Sequence, residues 1–130
     1  MTTVDDKIDA EVVVVGGGVV GGSFACLLGQ AGLKVILLDD SMRQVKSLKK
    51  IDTRVFAITM ASKQILKKTG SWKRLQKKDI GRFRKMHVWD ENGLGEINFD
   101  SASICQSTMG YIIPHQFIVD ALQEELLELG

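Results

Sequence analysis

The feature that most limits how this chain folds is the segment Gly-Gly-Gly-Val-Val-Gly-Gly at residues 16–22, in which five of seven residues are glycine. It follows four consecutive valines and runs directly into an apolar stretch with helical spacing. Glycine loses more conformational entropy on folding than any other residue, so such a cluster indicates a backbone that turns sharply or is approached closely. The order of residues predicts a strand, a glycine-rich turn and a helix.

The residues around the glycines predict a βαβ unit. Residues 10–15 predict a strand buried on both faces, and residues 19–31 predict a helix that Gly32 closes as a C-cap. The apolar side chains on one side of this helix are Val20, Phe24, Leu27 and Leu28. Residues 34–40 predict a second buried strand that ends in two acids. Two strands joined through one helix require a right-handed crossover and a parallel sheet.

Beyond residue 52 the pattern predicts a second group of elements. They are a TRVFAI strand, a helix at 59–68 ended by Gly70, a short helix at 71–78, a hairpin around Asn92-Gly93, a strand at 109–113 and a last helix with Pro114 in its first turn. The apolar residues that recur at helical spacing in the last helix are Phe117, Ile118, Ala121, Leu122, Leu126 and Leu129. The fold class is therefore α/β.

The spacing Gly16-x-Gly18-x-x-Gly21 predicts a dinucleotide-binding turn. The first glycine permits the turn, the second lets a pyrophosphate approach the backbone, and the third lets the helix pack closely on the strand. Val20 lies in the first helical turn, where N–H groups and the positive end of the helix dipole meet phosphates, and we place it among the cofactor-binding positions. Ala25, four residues after Gly21, keeps the helix close to the sheet.

Asp39 ends the second strand, 23 residues after Gly16, where a carboxylate accepts hydrogen bonds from both ribose hydroxyls of an adenosine. Its charge disfavours a 2′-phosphate, which leaves FAD or NAD, and the loop does not separate these two. An NAD-binding oxidoreductase module would continue with another βαβ unit directly after Asp39. A non-enzymatic nucleotide- or partner-binding module would use residues 63–85 as its contact surface. Both stay open as alternatives.

Charge and cysteine content favour an ordinary globular protein of a reducing, cytoplasmic compartment. Residues 63–85 hold ten Lys or Arg, and eight acids with no Lys or Arg follow from residue 86. We expect the basic run to be a solvated helix face and loop, and not a nucleic-acid site. Cys26 is expected to be a small buried apolar residue. Residues 12–33 carry no charge, but their seven glycines predict a strand, turn and helix and not a transmembrane segment.

Three further segments carry a family resemblance. DTRVFAITMASKQILKKTGSWKRL, FRKMHVWDENGLGEINFD and GYIIPHQFIVDALQEEL, in this order, resemble the ubiquinone-biosynthesis hydroxylases. These are FAD-dependent aromatic monooxygenases related to para-hydroxybenzoate hydroxylase. The resemblance covers essentially the whole chain and implies a Rossmann-like FAD-binding fold. It implies NAD(P)H as the reductant, a polyprenylated phenol as the substrate and a location peripheral to the inner membrane.

The resemblance also implies roles for single residues. Gly16, Gly18 and Gly21 would hold the FAD pyrophosphate and Asp39 the adenosine ribose, and Arg54 matches an arginine that approaches the cofactor. Residues 80–113 would contribute strands to the sheet of the substrate domain. Trp89 and His87 are expected to have packing and structural roles. His115, which with Pro114 replaces an acid–amide pair of the family, would lie by the flavin ring or cap a helix.

Members of this family are longer than this chain, and their later cofactor motifs have no counterpart in it. We therefore expect residues 1–130 to be the N-terminal part of an FAD-binding domain, inactive alone. A C-terminal half or other ubiquinone-biosynthesis proteins are the expected partners. No residue is assigned as catalytic and none as a metal ligand.

Overall fold

The computed structural model describes residues 9–40 and 53–130, and its first unit is the predicted βαβ. Strand β1 (Val12–Val15) leads through the glycine segment to helix α1 (Val19–Gln30), which returns to strand β2 (Val35–Leu38). The two strands are parallel, with Val12 opposite Val35 and Val15 opposite Leu38. Their predicted burial on both faces is wrong within the described residues, where Val15 is 82% and Leu38 52% exposed. Gly32 lies just past α1 with φ of +86°, and its N–H donates to the Gly29 carbonyl. The predicted helix stop is confirmed.

The second group of elements is built around an antiparallel sheet. In chain order it contains β3 (Val55–Thr59), α2 (Met60–Thr69), β4 (Gly81–Phe83), β5 (Lys85–Trp89), β6 (Glu96–Asp100), β7 (Gly110–Pro114) and α3 (His115–Leu129). Strand β7 lies between β3 and β4 and is antiparallel to both. Strands β5 and β6 form the predicted hairpin, with Val88 opposite Ile97.

Two local predictions in this group are corrected. Two separate 3₁₀ turns, Ser71–Arg74 and Lys77–Asp79, replace the predicted short helix at 71–78. Pro114 is the last residue of β7 and the N-cap of α3, with ψ of 131°, so it precedes the first helical turn. In contrast, α2 ends as predicted: Gly70 adopts the left-handed conformation, and Thr59 caps the other end by accepting a hydrogen bond from the Ser62 N–H.

The core lies where the three helices meet β3 and β7. Its buried members are Cys26, Ile58, Leu66, Leu75, Tyr111, Ile113, Ile118, Ala121 and Leu122. Cys26 is fully buried, as predicted, and burial together with the negative charge of Glu125 raises the pKa of its thiol to about 11. The predicted apolar stripe of α3 is buried at its centre, while Phe117 and Leu129 at its margins are exposed.

The predicted apolar side of α1 is not the side that packs into the core. Val20 is 85% exposed and Phe24 52% exposed, whereas the buried residues are Gly22, Ser23, Ala25 and Cys26. Helix α1 approaches α3 so closely that a Cβ added at Gly22 would lie 3.5 Å from the Leu122 side chain. Small side chains suit that distance, and the larger Val20 and Phe24 lie on the exposed side of α1. Leu27 and Leu28 are half-buried.

Part of the basic run stabilises the fold through α3. Arg74 Nε lies 2.5 Å from Glu125 Oε1, and its two terminal nitrogens lie 3.1 Å from Glu124 and 2.6 Å from Glu128. Lys63 Nζ donates to the Tyr111 hydroxyl at 2.7 Å. The expected solvated face is present at the exposed residues Lys67, Lys68, Lys77 and Lys78. No helix in the described ranges is long and apolar enough to cross a bilayer.

We expect Gly70→Ala to lower the free energy of unfolding by about 1–3 kcal/mol. Gly70 has φ of +90°, and an added Cβ would lie 2.6 Å from the Glu125 carboxylate that Arg74 pairs with. Urea denaturation followed by circular dichroism measures the change. Gly29→Ala is the control, since its Cβ would make an ordinary 3.4 Å contact with Leu129 and alanine favours a helix by about 0.5–1 kcal/mol. Equal stability of the two variants would contradict this placement of Glu125.

Candidate dinucleotide-binding site

The turn between β1 and α1 begins at Gly16, whose φ of +99° lies in the left-handed region that favours glycine. The Gly16 N–H donates to the Leu38 carbonyl at 2.7 Å, which extends the pairing of β1 with β2 by one residue. The chain then leaves the sheet and enters α1 at Val19. Gly16 therefore makes the sharp turn that the first position of the motif requires.

Gly21 allows α1 to lie directly against this turn. An added Cβ would lie 1.8 Å from the Gly16 carbonyl oxygen and 3.4 Å from Val14 Cγ1. No side chain fits at the first of these distances. One turn further along, Ala25 is 1% exposed, so the helix stays close to the core on this side. The third glycine has the close-packing geometry expected of it.

Gly18, unlike Gly21, has empty space where a Cβ would lie. Within the described part of the chain, a Cβ added at Gly18 would meet no heavy atom within 4 Å. Gly18 is also the N-cap of α1, with φ of −67°, and among the described residues no side chain caps this end and no acid occupies its first turn. The space where a side chain of residue 18 would begin is therefore open to a group from outside.

The first turn of α1 supplies hydrogen-bond donors to this open position. Gly22 is the first residue whose N–H bonds within the helix, to the Gly18 carbonyl at 2.8 Å. The amides of Val19, Val20 and Gly21 precede it, and such N–H groups at a helix start have no intrahelical acceptor. The helix dipole adds a partial positive charge here. The Val20 side chain is 85% exposed, so its contribution to a phosphate site is its amide.

Asp39 lies beside this turn, one residue past the end of β2. Its carboxylate oxygen Oδ2 accepts a hydrogen bond from the Gly17 N–H, and the residue is half-buried. The structure thus brings Gly16, Gly18, Val20, Gly21 and Asp39 to one end of the parallel strand pair. The contact of Asp39 with Gly17 was missed by the sequence analysis, although the parallel pairing of the two strands is the signal that places residue 39 next to the turn.

Arg54 and His115 lie together at another place, where β3 begins and β7 ends. The His115 N–H donates to the Arg54 carbonyl at 2.9 Å, and the imidazole packs edge-on against Phe56 with ring centres 5.0 Å apart. Arg54 is exposed. This pairing follows from the antiparallel register that sets Val55 opposite Pro114. His115 is the first residue of α3.

His87 and Trp89 lie on one face of the hairpin. His87 Nε2 lies 3.1 Å from Glu96 Oε2 across the two strands, which agrees with a structural role. The Trp89 ring lies 5.3 Å from the His87 ring, centre to centre, and Trp89 is 67% exposed. Within the described residues Trp89 contacts His87, and no core covers this face of the two-stranded ribbon. The expected packing role stays a prediction.

Comparison with protein families and curated proteins places this site in a known context. The family model of the TrkA-N domain matches residues 12–73. The mitochondrial ubiquinone biosynthesis monooxygenase COQ6 of Rattus norvegicus is 33% identical over 124 residues, covering 89% of this chain and 25% of that protein. The 3-demethoxyubiquinol 3-hydroxylase of Escherichia coli is 29% identical over 117 residues, covering 89% of this chain and 30% of that protein. The chain thus spans a quarter to a third of the length of these relatives.

Solved structures show the same fold. The chain is similar to the anhydrotetracycline hydroxylase OxyS of Streptomyces rimosus with a TM-score of 0.69 and 20% identity, covering 95% of this chain and 23% of the other. The p-nitrophenol 4-monooxygenase PnpA of Pseudomonas putida gives a TM-score of 0.65 at 26% identity, covering 94% and 30%. PqsL of Pseudomonas aeruginosa, described as a probable FAD-dependent monooxygenase, gives 0.61 at 18% identity, covering 90% and 30%. The predicted Rossmann-like α/β fold is confirmed.

We expect Gly21→Ala and Gly18→Ala to differ in stability. The Gly21 Cβ would overlap the Gly16 carbonyl, so this variant loses about 1–3 kcal/mol or more of unfolding free energy. The Gly18 Cβ meets open space, so that variant loses less, about 0.5–1 kcal/mol, the cost of alanine at a helix N-cap. Chemical denaturation of both proteins checks this, and equal losses would show that the turn does not have this geometry.

Proposed function

From the homology of this chain to ubiquinone biosynthesis monooxygenases, we propose that it is the part of an FAD-dependent aromatic-ring hydroxylase that binds the ADP portion of FAD. Hydroxylation belongs to the complete enzyme in this proposal, since the chain spans about a quarter of the length of the COQ6 relative. The single observation that carries the proposal is the open Gly18 backbone at an uncapped helix start, with the Asp39 carboxylate beside it.

The residues present fit an adenosine and a pyrophosphate. The amides of Val19, Val20 and Gly21 would donate to phosphate oxygens that approach Gly18, and the dipole of α1 favours the negative charge. Two amides of the turn are already bonded, Gly16 to Leu38 and Gly17 to Asp39. The pyrophosphate site therefore starts at Gly18. An ionised carboxylate accepts about four hydrogen bonds, so Asp39 has the capacity to hold ribose hydroxyls while it bonds to Gly17.

Arg54 would contact FAD through its guanidinium. This group can donate two parallel hydrogen bonds to phosphate or ribose oxygens, and its positive charge would offset the negative charge of the phosphates. Its exposure at the start of β3 leaves it accessible for this role. When bound, FAD would supply the redox chemistry of ring hydroxylation, with NAD(P)H as the reductant. The residues of this chain would bind and orient the dinucleotide.

Support for FAD over an NAD-binding module comes from the connection that follows Asp39. A second βαβ unit would add another parallel strand to β1 and β2. Among the described residues, the next strand is β3, which pairs antiparallel with β7 in a separate sheet. Residues 41–52 lie outside the described residues.

The hairpin supports the proposed link to a substrate domain. Met86, Val88, Ile97 and Phe99 share one face of it and are each at least 42% exposed. A two-stranded ribbon is marginally stable alone, so such a face favours packing against further structure. We propose that residues 80–113 contribute strands to the sheet that meets a polyprenylated phenol, in an enzyme peripheral to the inner membrane that works with other ubiquinone-biosynthesis proteins.

We expect Gly18→Val to abolish nucleotide binding while the fold is kept. The branched side chain would fill the space through which the pyrophosphate reaches the backbone, and its Cβ would lie more than 4 Å from any described heavy atom outside the neighbouring residues. Titration of ADP and of FAD, followed by ¹H–¹⁵N NMR spectra, measures the affinity. Gly95→Val is the matched control, because Gly95 is equally open but lies in the hairpin loop. Full ADP affinity in a folded Gly18→Val protein would contradict the site.

We also expect residues 1–130 alone to hold FAD weakly and to show no hydroxylase activity. The described residues provide contacts for the adenosine and pyrophosphate end, and exposed apolar faces such as Val15 (82%) and Leu38 (52%) favour association. The purified chain is mixed with FAD, NAD(P)H and a phenol, and substrate-dependent NAD(P)H oxidation is followed, with a complete relative as the positive control. Turnover by the chain alone would refute this expectation.

A further inference from the structure

Gly17 lies between Gly16 and Gly18, at the position x where the dinucleotide motif allows any residue. It is the residue of the turn that contacts Asp39. It is buried, and its N–H donates to Asp39 Oδ2. A Cβ added at Gly17 would lie 3.1 Å from Asp39 Cβ, 3.1 Å from Oδ2 and 3.3 Å from Cγ. The Asp39 side chain therefore occupies the space directly over Gly17.

The contact is built by the parallel strands and not by a loop that could move independently. Val15 lies opposite Leu38, and the Gly16 N–H bonds to the Leu38 carbonyl at 2.7 Å. The next residues along the two chains are Gly17 and Asp39. The φ of Gly17 lies outside the left-handed region, so the backbone would accept any residue there. A side chain at position 17 would therefore disturb the Asp39 carboxylate.

We propose that Gly17 is a positioning residue that fixes the Asp39 carboxylate for recognition of the ribose 2′-hydroxyl. This rests on the proposed function and specifies how its ribose site is selective. The hydrogen bond holds one carboxylate oxygen, and the absence of a Cβ leaves room for the rotamer in which this bond forms. With the carboxylate fixed, a ribonucleotide gains a charge-assisted hydrogen bond that a 2′-deoxyribonucleotide lacks.

The test compares the affinities of ADP, 2′-deoxy-ADP and inorganic pyrophosphate by NMR titration. In the wild type we expect ADP to bind about tenfold more tightly than 2′-deoxy-ADP, the scale of one hydrogen bond to a charged group. In Gly17→Ala the Cβ would lie 3.1 Å from Asp39 Oδ2 and shift the carboxylate by a few tenths of an ångström, so we expect this ratio to fall to about two to three. In Asp39→Ala, which lacks the carboxylate, we expect a ratio of about one. Pyrophosphate affinity stays within about twofold, because the amides that begin at Gly18 are unchanged. Gly29→Ala, a substitution in helix α1, is the control, and we expect it to keep the wild-type ratio of ADP to 2′-deoxy-ADP affinity.

The outcomes separate this proposal from the proposed function. If the wild type prefers ADP to 2′-deoxy-ADP and Gly17→Ala keeps the same preference, the positioning role of Gly17 is overturned. The nucleotide site itself would still stand. A wild type that binds neither ADP nor pyrophosphate overturns the nucleotide site and the ribose role with it.

A second measurement tests the hydrogen bond between Gly17 and Asp39 in the absence of a nucleotide. It also tests the proposal if Gly17→Ala does not fold. The Gly17 amide proton bonded to a carboxylate resonates downfield, and we expect it to move upfield in Asp39→Ala. The amide protons of Gly29 and Gly95, which lie away from Asp39 in the fold, are the internal controls. An unchanged Gly17 resonance overturns the proposal.

Discussion

The close approach of α1 to its neighbours is the constraint on which the rest of the structure depends. At its start, Gly21 lies where a Cβ would be 1.8 Å from the Gly16 carbonyl. In its middle, Cys26 Sγ lies 3.8 Å from the Leu122 carbonyl of α3, and near its end Gly29 faces Leu129. One helix with a face of small residues therefore holds the glycine turn at one end and α3 along its length. Because the turn is fixed by this packing, its open amides are preorganised for a ligand.

Helix α3 is in turn anchored by charge. Glu125 is 6% exposed, and Arg74 satisfies it while also bonding to Glu124 and Glu128. The hydrogen bond to Arg74 holds the pKa of Glu128 below its ordinary value. A carboxyl with a depressed pKa stabilises the folded state above its unfolded pKa, and that contribution is lost as the pH falls through the folded pKa. Glu128 is largely exposed, so solvent screens its pairing, and the buried Glu125–Arg74 contact is the more important one for the fold.

Sequence signals predicted the elements whose cause is local. The stop at Gly70 and the β1–α1–β2 unit each follow from a turn residue or from periodicity within a few residues. The hairpin forms where Asn92-Gly93 predicts it, but its loop spans residues 90–95 and neither of these two residues has a positive φ. What the sequence did not predict depends on distant partners. The buried face of α1 is set by its distance from α3, and the contact of Gly17 with Asp39 is set by strand register. Trp89 is exposed because the described chain places no layer over the hairpin, and an apolar residue type carries no information about that.

The geometry also explains why the glycine turn alone does not identify the cofactor. The groups of the proposed site are backbone amides and one carboxylate, and these would meet only the adenosine and pyrophosphate that FAD and NAD share. The distinction lies in what the chain does after Asp39. In the described residues the next strand, β3, leaves the parallel pair for an antiparallel sheet with β7, and this sheet brings Arg54 beside His115. A second parallel unit would place another helix start near the first, suited to a second nucleotide. The antiparallel sheet instead brings Arg54 and His115 together where β3 begins and β7 ends. Side chains, here a guanidinium and an imidazole, are the groups that can contact a part of a cofactor that is not a nucleotide.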